Sequence, residues 1–161
     1  MNTPLWTFTN DYYIEKLRLP VVLVTFDGVR HSGDLFVQPN SRHRLGHECA
    51  PDLLNGPDEY VPLATLQGKV LLLAKSRIRE LLVAREDVDE AEWEYGLPAT
   101  VRVQLTDGAS HRGVVIIERN NASERVLDYL NRFTHRFLQL STDEGVVLLN
   151  RDAIVYLEQA D

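Results

Sequence analysis

Apolar and polar residues alternate along Val101-Arg102-Val103-Gln104-Leu105-Thr106. A period of two over six residues predicts a strand with one face buried and one face wet. Asp107-Gly108 follows, a pair suited to a tight hairpin. His111 to Glu118, with Val114, Val115, Ile116 and Ile117, reads as the returning strand. The same plan stands earlier in the chain as Val21 to Phe26, Asp27-Gly28, then His31 to Val37. There both faces of the opening strand are apolar, because Val22, Val24 and Phe26 stand where the later strand has Arg102, Gln104 and Thr106. A second apolar face needs a cover. The N-terminal segment with Trp6, or an adjoining barrel, is the candidate.

The two passages belong to a longer duplication. Residues 27–33 (DGVRHSG) and 107–113 (DGASHRG) share D-G-x-x-H-x-G, and Asp52-Leu53-Leu54-Asn55 returns as Asp128-Tyr129-Leu130-Asn131. Tyr60 to Leu63 is echoed by Phe137 to Leu140, Gly68 by Gly145, Val70 to Lys75 by Val146 to Arg151, and Ile78 by Ile154. Order is kept throughout, which marks a tandem repeat. Each copy predicts a hairpin, a polar stretch (38–58 and 119–133) ending in a short helical turn, and three closing strands. Those strands are expected at about 59–66, 69–74 and 77–83, then 134–141, 145–150 and 153–158. The expected fold is mainly β: two tandem five-stranded, strongly bent antiparallel small barrels.

The divisions follow. Residues 1–18 form an N-terminal arm or a short helix over Asp11 to Leu17, with Pro20 marking the start of extended chain. Residues 19–84 are the first repeat, 85–96 a connector, and 97–161 the second repeat. The connector, whose Val88, Ala91 and Trp93 would let it dock as a short helix, concentrates the charge. It holds 1 basic against 6 acidic residues, within a chain whose formal net charge is −7. The repeats themselves are nearly neutral, so no basic stripe announces nucleic acid.

At 161 residues, two units of this size bury small cores and gain by packing on each other. No apolar run is long enough to cross a bilayer, and the acidic, aromatic N-terminus is unlike a signal peptide. Cys49 is the only cysteine, so a cytoplasmic home without disulfides is the simplest reading.

Candidate chemistry is sparse. Asp27-Gly28 and Asp107-Gly108, with Gly33 and Gly113, read as structural turn residues. His31 and His111 recur at equivalent places, either bonding a turn or serving a small-ligand or metal sensor. His43, His47, Glu48 and Cys49 are the nearest approach to a metal cluster, but Gly46 interrupts them and the second copy has no counterpart. Arg119, Arg125, Arg132 and Arg136, with His135, would form an anion patch if the interleaved carboxylates pair elsewhere. No catalytic triad, phosphate-binding loop or dinucleotide fingerprint is present. The expectation is a non-catalytic protein with no cofactor and no metal.

The run Val101-x-Val103-x-Leu105-x-Asp107-Gly108-x-x-x-x-Gly113 resembles the opening motif of the Sm-like family. Leu148 to Ile154 resembles the closing motif, with Lys75-Ser76-Arg77-Ile78 its weaker equivalent, and barrels of the SH3 type share much of the pattern. The whole chain is most similar to bacterial Sm-like relatives of unassigned function. The resemblance implies oligomers, typically rings, built by pairing edge strands, and single-stranded RNA held on one face. It carries base recognition onto Asn55 and Asn131, where the alternative is that Asp52 and Asp128 cap a helical turn and the asparagines end it. Lys75 and Arg151 would lie beside a phosphate or a base, or else remain solvated turn residues. The leading expectation is therefore a homo-oligomeric assembly module. RNA binding is the alternative, and a protein partner is also allowed.

Overall fold

The computed structural model describes residues 16–40, 46–88, 96–117 and 125–160. The chain is mainly β. The first copy supplies β1 (Leu17–Thr25), β2 (Arg30–Val37), α1 (Ala50–Leu54), β3 (Tyr60–Thr65), β4 (Val70–Ala74) and β5 (Ile78–Val83). The second supplies β6 (Leu97–Leu105), β7 (Ser110–Ile117), α2 (Val126–Arg132), β8 (Phe137–Thr142), β9 (Gly145–Asn150) and β10 (Ile154–Gln159). A one-turn 3-10 helix precedes each last strand, at Lys75–Arg77 and Arg151–Ala153.

All ten strands join in one antiparallel sheet, in the order β10-β6-β7-β8-β9-β5-β1-β2-β3-β4, and the sheet is not closed as a barrel. Within that order each copy repeats one scheme: fifth strand, first, second, third, fourth. The registers match as well. Val21 faces Val83 and Leu23 faces Leu81, while Val101 faces Gln159 and Val103 faces Leu157. The same irregularity interrupts both ladders near their ends, at Val24/Thr25 and at Ile154/Tyr156.

The alternation that predicts the first strands shows directly in burial. Val101, Val103 and Leu105 are buried, and Arg102 and Gln104 between them are half-buried. Asp27 and Asp107 shape the hairpins by accepting a hydrogen bond from the backbone two residues on, at Val29 (3.1 Å) and Ala109 (3.0 Å). Gly28 and Gly108 follow at φ +84° and +90°, in the left-handed region that favours glycine.

Gly33 and Gly113 depart from the expectation. They lie inside β2 and β7, not in turns. A Cβ on either would meet the backbone oxygen of Ala64 or Ser141. Their lack of a side chain lets the neighbouring strands β3 and β8 approach closely. The opening strand also begins earlier than Pro20 implies, at Leu17. Pro20 pairs with Asp34 of β2 but falls outside the stretch paired by β5, which starts at Val21. The helix expected over Asp11 to Leu17 falls mostly outside the described residues, as do Trp6, Ala91 and Trp93. Of the connector, Arg85–Asp87 form a 3-10 turn and Val88 is buried in the first core.

The halves meet where β5 pairs with β9, Glu80 facing Leu149 and Val83 facing Val146. Every residue of β9 is buried. Val146 and Leu148 enter the first copy's core, joined by Phe137, while Val147 and Leu149 enter the second. One strand therefore contributes to two cores through its two faces.

Candidate functional site

Four charged or titratable groups gather at the junction. Arg79 and Glu80 come from β5, and Asp107 and His111 from the second copy's hairpin. Arg79, almost wholly buried, bonds Asp107 through one guanidinium nitrogen and Glu80 through another (2.8 Å). Glu80 also bonds the His111 ring at Nε2. Burial works against the charge on Glu80, yet the bonds from His111 and Arg79 outweigh it and hold the carboxyl below its ordinary value. His111, read as a turn ligand or sensor, thus ties the second copy to the first. The counterpart of Glu80 is Tyr156 on β10, and β10 and β4 stand at opposite ends of the sheet, so among the described residues the first copy's β4 has no fifth strand beside it as β9 has β5.

Beside this network a cavity of about 410 Å³ opens over Val22, Val24, Leu82 and Val147. Its floor is the second apolar face of the opening strand. The junction with the second copy supplies part of the cover that face requires.

Three of the four residues carried over as RNA contacts, Asn55, Lys75 and Arg151, have other duties in the structure. Asn55 ends α1 and clasps the start of β8. Its Oδ1 accepts from the Phe137 N–H (2.9 Å) and its Nδ2 donates to the Phe137 carbonyl (3.4 Å). A side-chain amide so placed mimics one step of a strand ladder. Lys75 is 1% exposed and donates to the carbonyls of Leu53 (2.6 Å) and Gly56 (3.3 Å). It satisfies oxygens left over where α1 ends. Burial pushes its ammonium below the ordinary value. Arg151 does the matching work in the second copy, donating to the Phe133 carbonyl (3.3 Å), but stays exposed. Asn131 is exposed on α2.

The helices begin alike. Asp52 accepts from the Cys49 N–H and Asp128 from the Arg125 N–H, both at 3.3 Å. The carboxylate at the third helical position thereby caps the helix start. Cys49 is buried with its thiol against Asp52, and His47 bonds the Glu48 carbonyl. His43 lies outside the described residues.

A further groove could receive a ligand. A cavity of about 440 Å³ runs between the helices and is lined by Asn55, Tyr129, Arg132, Phe133, His135 and Phe137. A second, of about 360 Å³, shares Asn55 and His135 and adds Arg136 and Arg151. Three rings follow one another along it: Tyr129 to Phe133 at 5.7 Å between centroids, then Phe133 to His135 at 5.5 Å. Arg136 reaches Glu59 at 3.7 Å. The sequence does not single out Tyr129 and Phe133 as site residues. Their only sign there was a spacing of four on a helix, which core packing produces equally well.

No family model, curated protein or solved structure matches the chain.

Proposed function

We propose that this chain is an assembly module of two Sm-like units, which joins copies of itself through the two end strands of its sheet. One observation carries the reading. Inside the chain, the fifth strand of the first copy (β5) pairs with the fourth strand of the second (β9). At the ends of the sheet stand the fourth strand of the first copy (β4) and the fifth of the second (β10), each with a free edge among the described residues. The ends are thus the two halves of a junction the chain already makes once. Both carry apolar side chains in water: Leu72 on β4, Val155 and Tyr156 on β10. Free edges of this kind pair with other chains unless covered.

Joining β10 of one copy to β4 of the next is a head-to-tail contact. It closes into a ring when the rotation per copy divides the circle. Light scattering on a size-exclusion column at micromolar concentration is expected to give the mass of a small whole number of chains. A lone monomer at that concentration defeats the proposal.

RNA binding is the second reading, favoured by the ring-and-arginine groove between α1 and α2. Aromatic rings flanked by guanidinium groups suit unpaired bases and their phosphates. Titration with a short single-stranded RNA is expected to weaken as salt rises, and Phe133→Ala to reduce affinity about tenfold, the scale of one lost stacking contact. Absence of binding at low salt removes this reading and leaves assembly untouched.

A further inference from the structure

The internal junction is more than a strand pair, and its additional parts have counterparts at the chain's ends. Three residues of the second copy, Phe137, Val146 and Leu148, complete the core of the first. From the first copy the second core receives only the partly buried Leu82 among the described residues. Tyr129, Leu130 and Leu157 are left only partly buried against it. The residues that correspond to the three donors are Tyr60, Val70 and Leu72. Phe137 and Leu148 are at most 1% exposed, whereas Tyr60 is 63% and Leu72 73% exposed.

The polar part repeats too. Asn55 stands six residues after the N-cap Cys49, and Asn131 stands six after the N-cap Arg125. Because both helices start from the same capped geometry, the two amides project from the same turn of the helix. Asn55 holds the backbone of Phe137. Phe137 corresponds to Tyr60, since Tyr60 faces Ala74 in the β3–β4 ladder just as Phe137 faces Asn150 in the β8–β9 ladder.

We infer that Tyr60, Val70 and Leu72 of one copy plug the second core of the next copy, and that Asn131 of the receiving copy clasps the Tyr60 backbone. The inference rests on the end-strand reading above and adds to it the partner's register. Transposing the β5–β9 register places Tyr156 opposite Leu73, Leu157 opposite Leu72, Glu158 opposite Leu71 and Gln159 opposite Val70. It assigns Asn131 to protein–protein contact. It also distinguishes the two kinds of junction. Val155 and Tyr156 occupy the places of Arg79 and Glu80, so the ion pairs that tie the halves within a chain are absent between chains.

The test measures the self-association constant of the full chain by analytical ultracentrifugation, for the unaltered protein, Leu72→Glu and Asn131→Asp. Both side chains are exposed in the single chain, so circular dichroism of each variant is expected to match the parent. Leu72→Glu is expected to weaken association about a hundredfold or more, as a carboxylate buried without a partner does. Asn131→Asp replaces the donating amide with an acceptor facing the Tyr60 carbonyl and is expected to weaken it about tenfold. If the parent assembles and both variants assemble equally well, the plug and clasp are wrong while end-strand pairing stands. A monomeric parent overturns both.

Discussion

Leu148→Ala is expected to lower the stability of the whole chain by about 3 kcal/mol, with both halves lost in one transition. The size follows from truncating a fully buried leucine in a packed core, where the cavity cannot fully collapse. The single transition follows from where the residue sits. Leu148 is on β9, whose alternate side chains enter two different cores, and β9 pairs with β5 across the halves. A hole on one face loosens the strand that the other core also needs. Urea unfolding followed by circular dichroism, fitted for midpoint and slope, measures the loss. The matching change Leu72→Ala, on the exposed end strand, is expected to cost less than about 0.5 kcal/mol in the unassembled chain. Two separate transitions in the parent protein would show that the halves fold as independent units, and the shared-strand account would then be wrong.

The local half of this architecture is legible in the residues. The alternation from Val101 to Leu105, the Asp-Gly hairpins and the repeated Val70–Lys75 and Val146–Arg151 segments place all ten strands within a few positions. What escapes is long-range. Val146 to Leu149 is a run of four apolar residues, the mark of a strand covered on both faces. Val70 to Leu73 carries the same mark yet stands at the edge of the sheet, because only one of the two fourth strands finds a second partner among the described residues. Composition does not tell these fates apart. Lys75 reads as a solvent residue because a lysine is seldom buried. The spare carbonyls where α1 ends, which draw it inward, become visible only when the helix and the turn before β5 are brought together. Asn55 reads as a helix terminator or a base reader, and its partner lies 82 positions away. The Arg79–Glu80–Asp107–His111 cluster likewise combines residues from both copies. Repetition pointed to His111, but Arg79 and Glu80 have no counterparts of their kind in the second copy, so comparing the copies passes over them.

The glycines permit a sharp separation of two roles that a sequence pattern merges. Gly113→Ala is expected to destabilise by about 3 kcal/mol, the upper range for forcing extra volume into a packed site. The reason is steric. A Cβ at Gly113 would sit closer than 3.0 Å to the Ser141 carbonyl oxygen and to the Leu140 side chain. Leu140 is wholly buried and β8 is held by its ladder to β9, so neither neighbour can retreat cheaply. Gly33→Ala is expected to behave the same way against Ala64. Gly108→Ala is the contrasting case. A Cβ there meets nothing within 4 Å, and the cost is only that of holding alanine at φ +90°, about 1–2 kcal/mol. Gly108→Asn is expected to recover part of that, since asparagine tolerates the left-handed region, while Gly113→Asn is expected to be worse than Gly113→Ala. Thermal melts of the five variants check the ordering. If Gly113→Ala melts above Gly108→Ala, the close approach of β7 and β8 is not what requires the glycine.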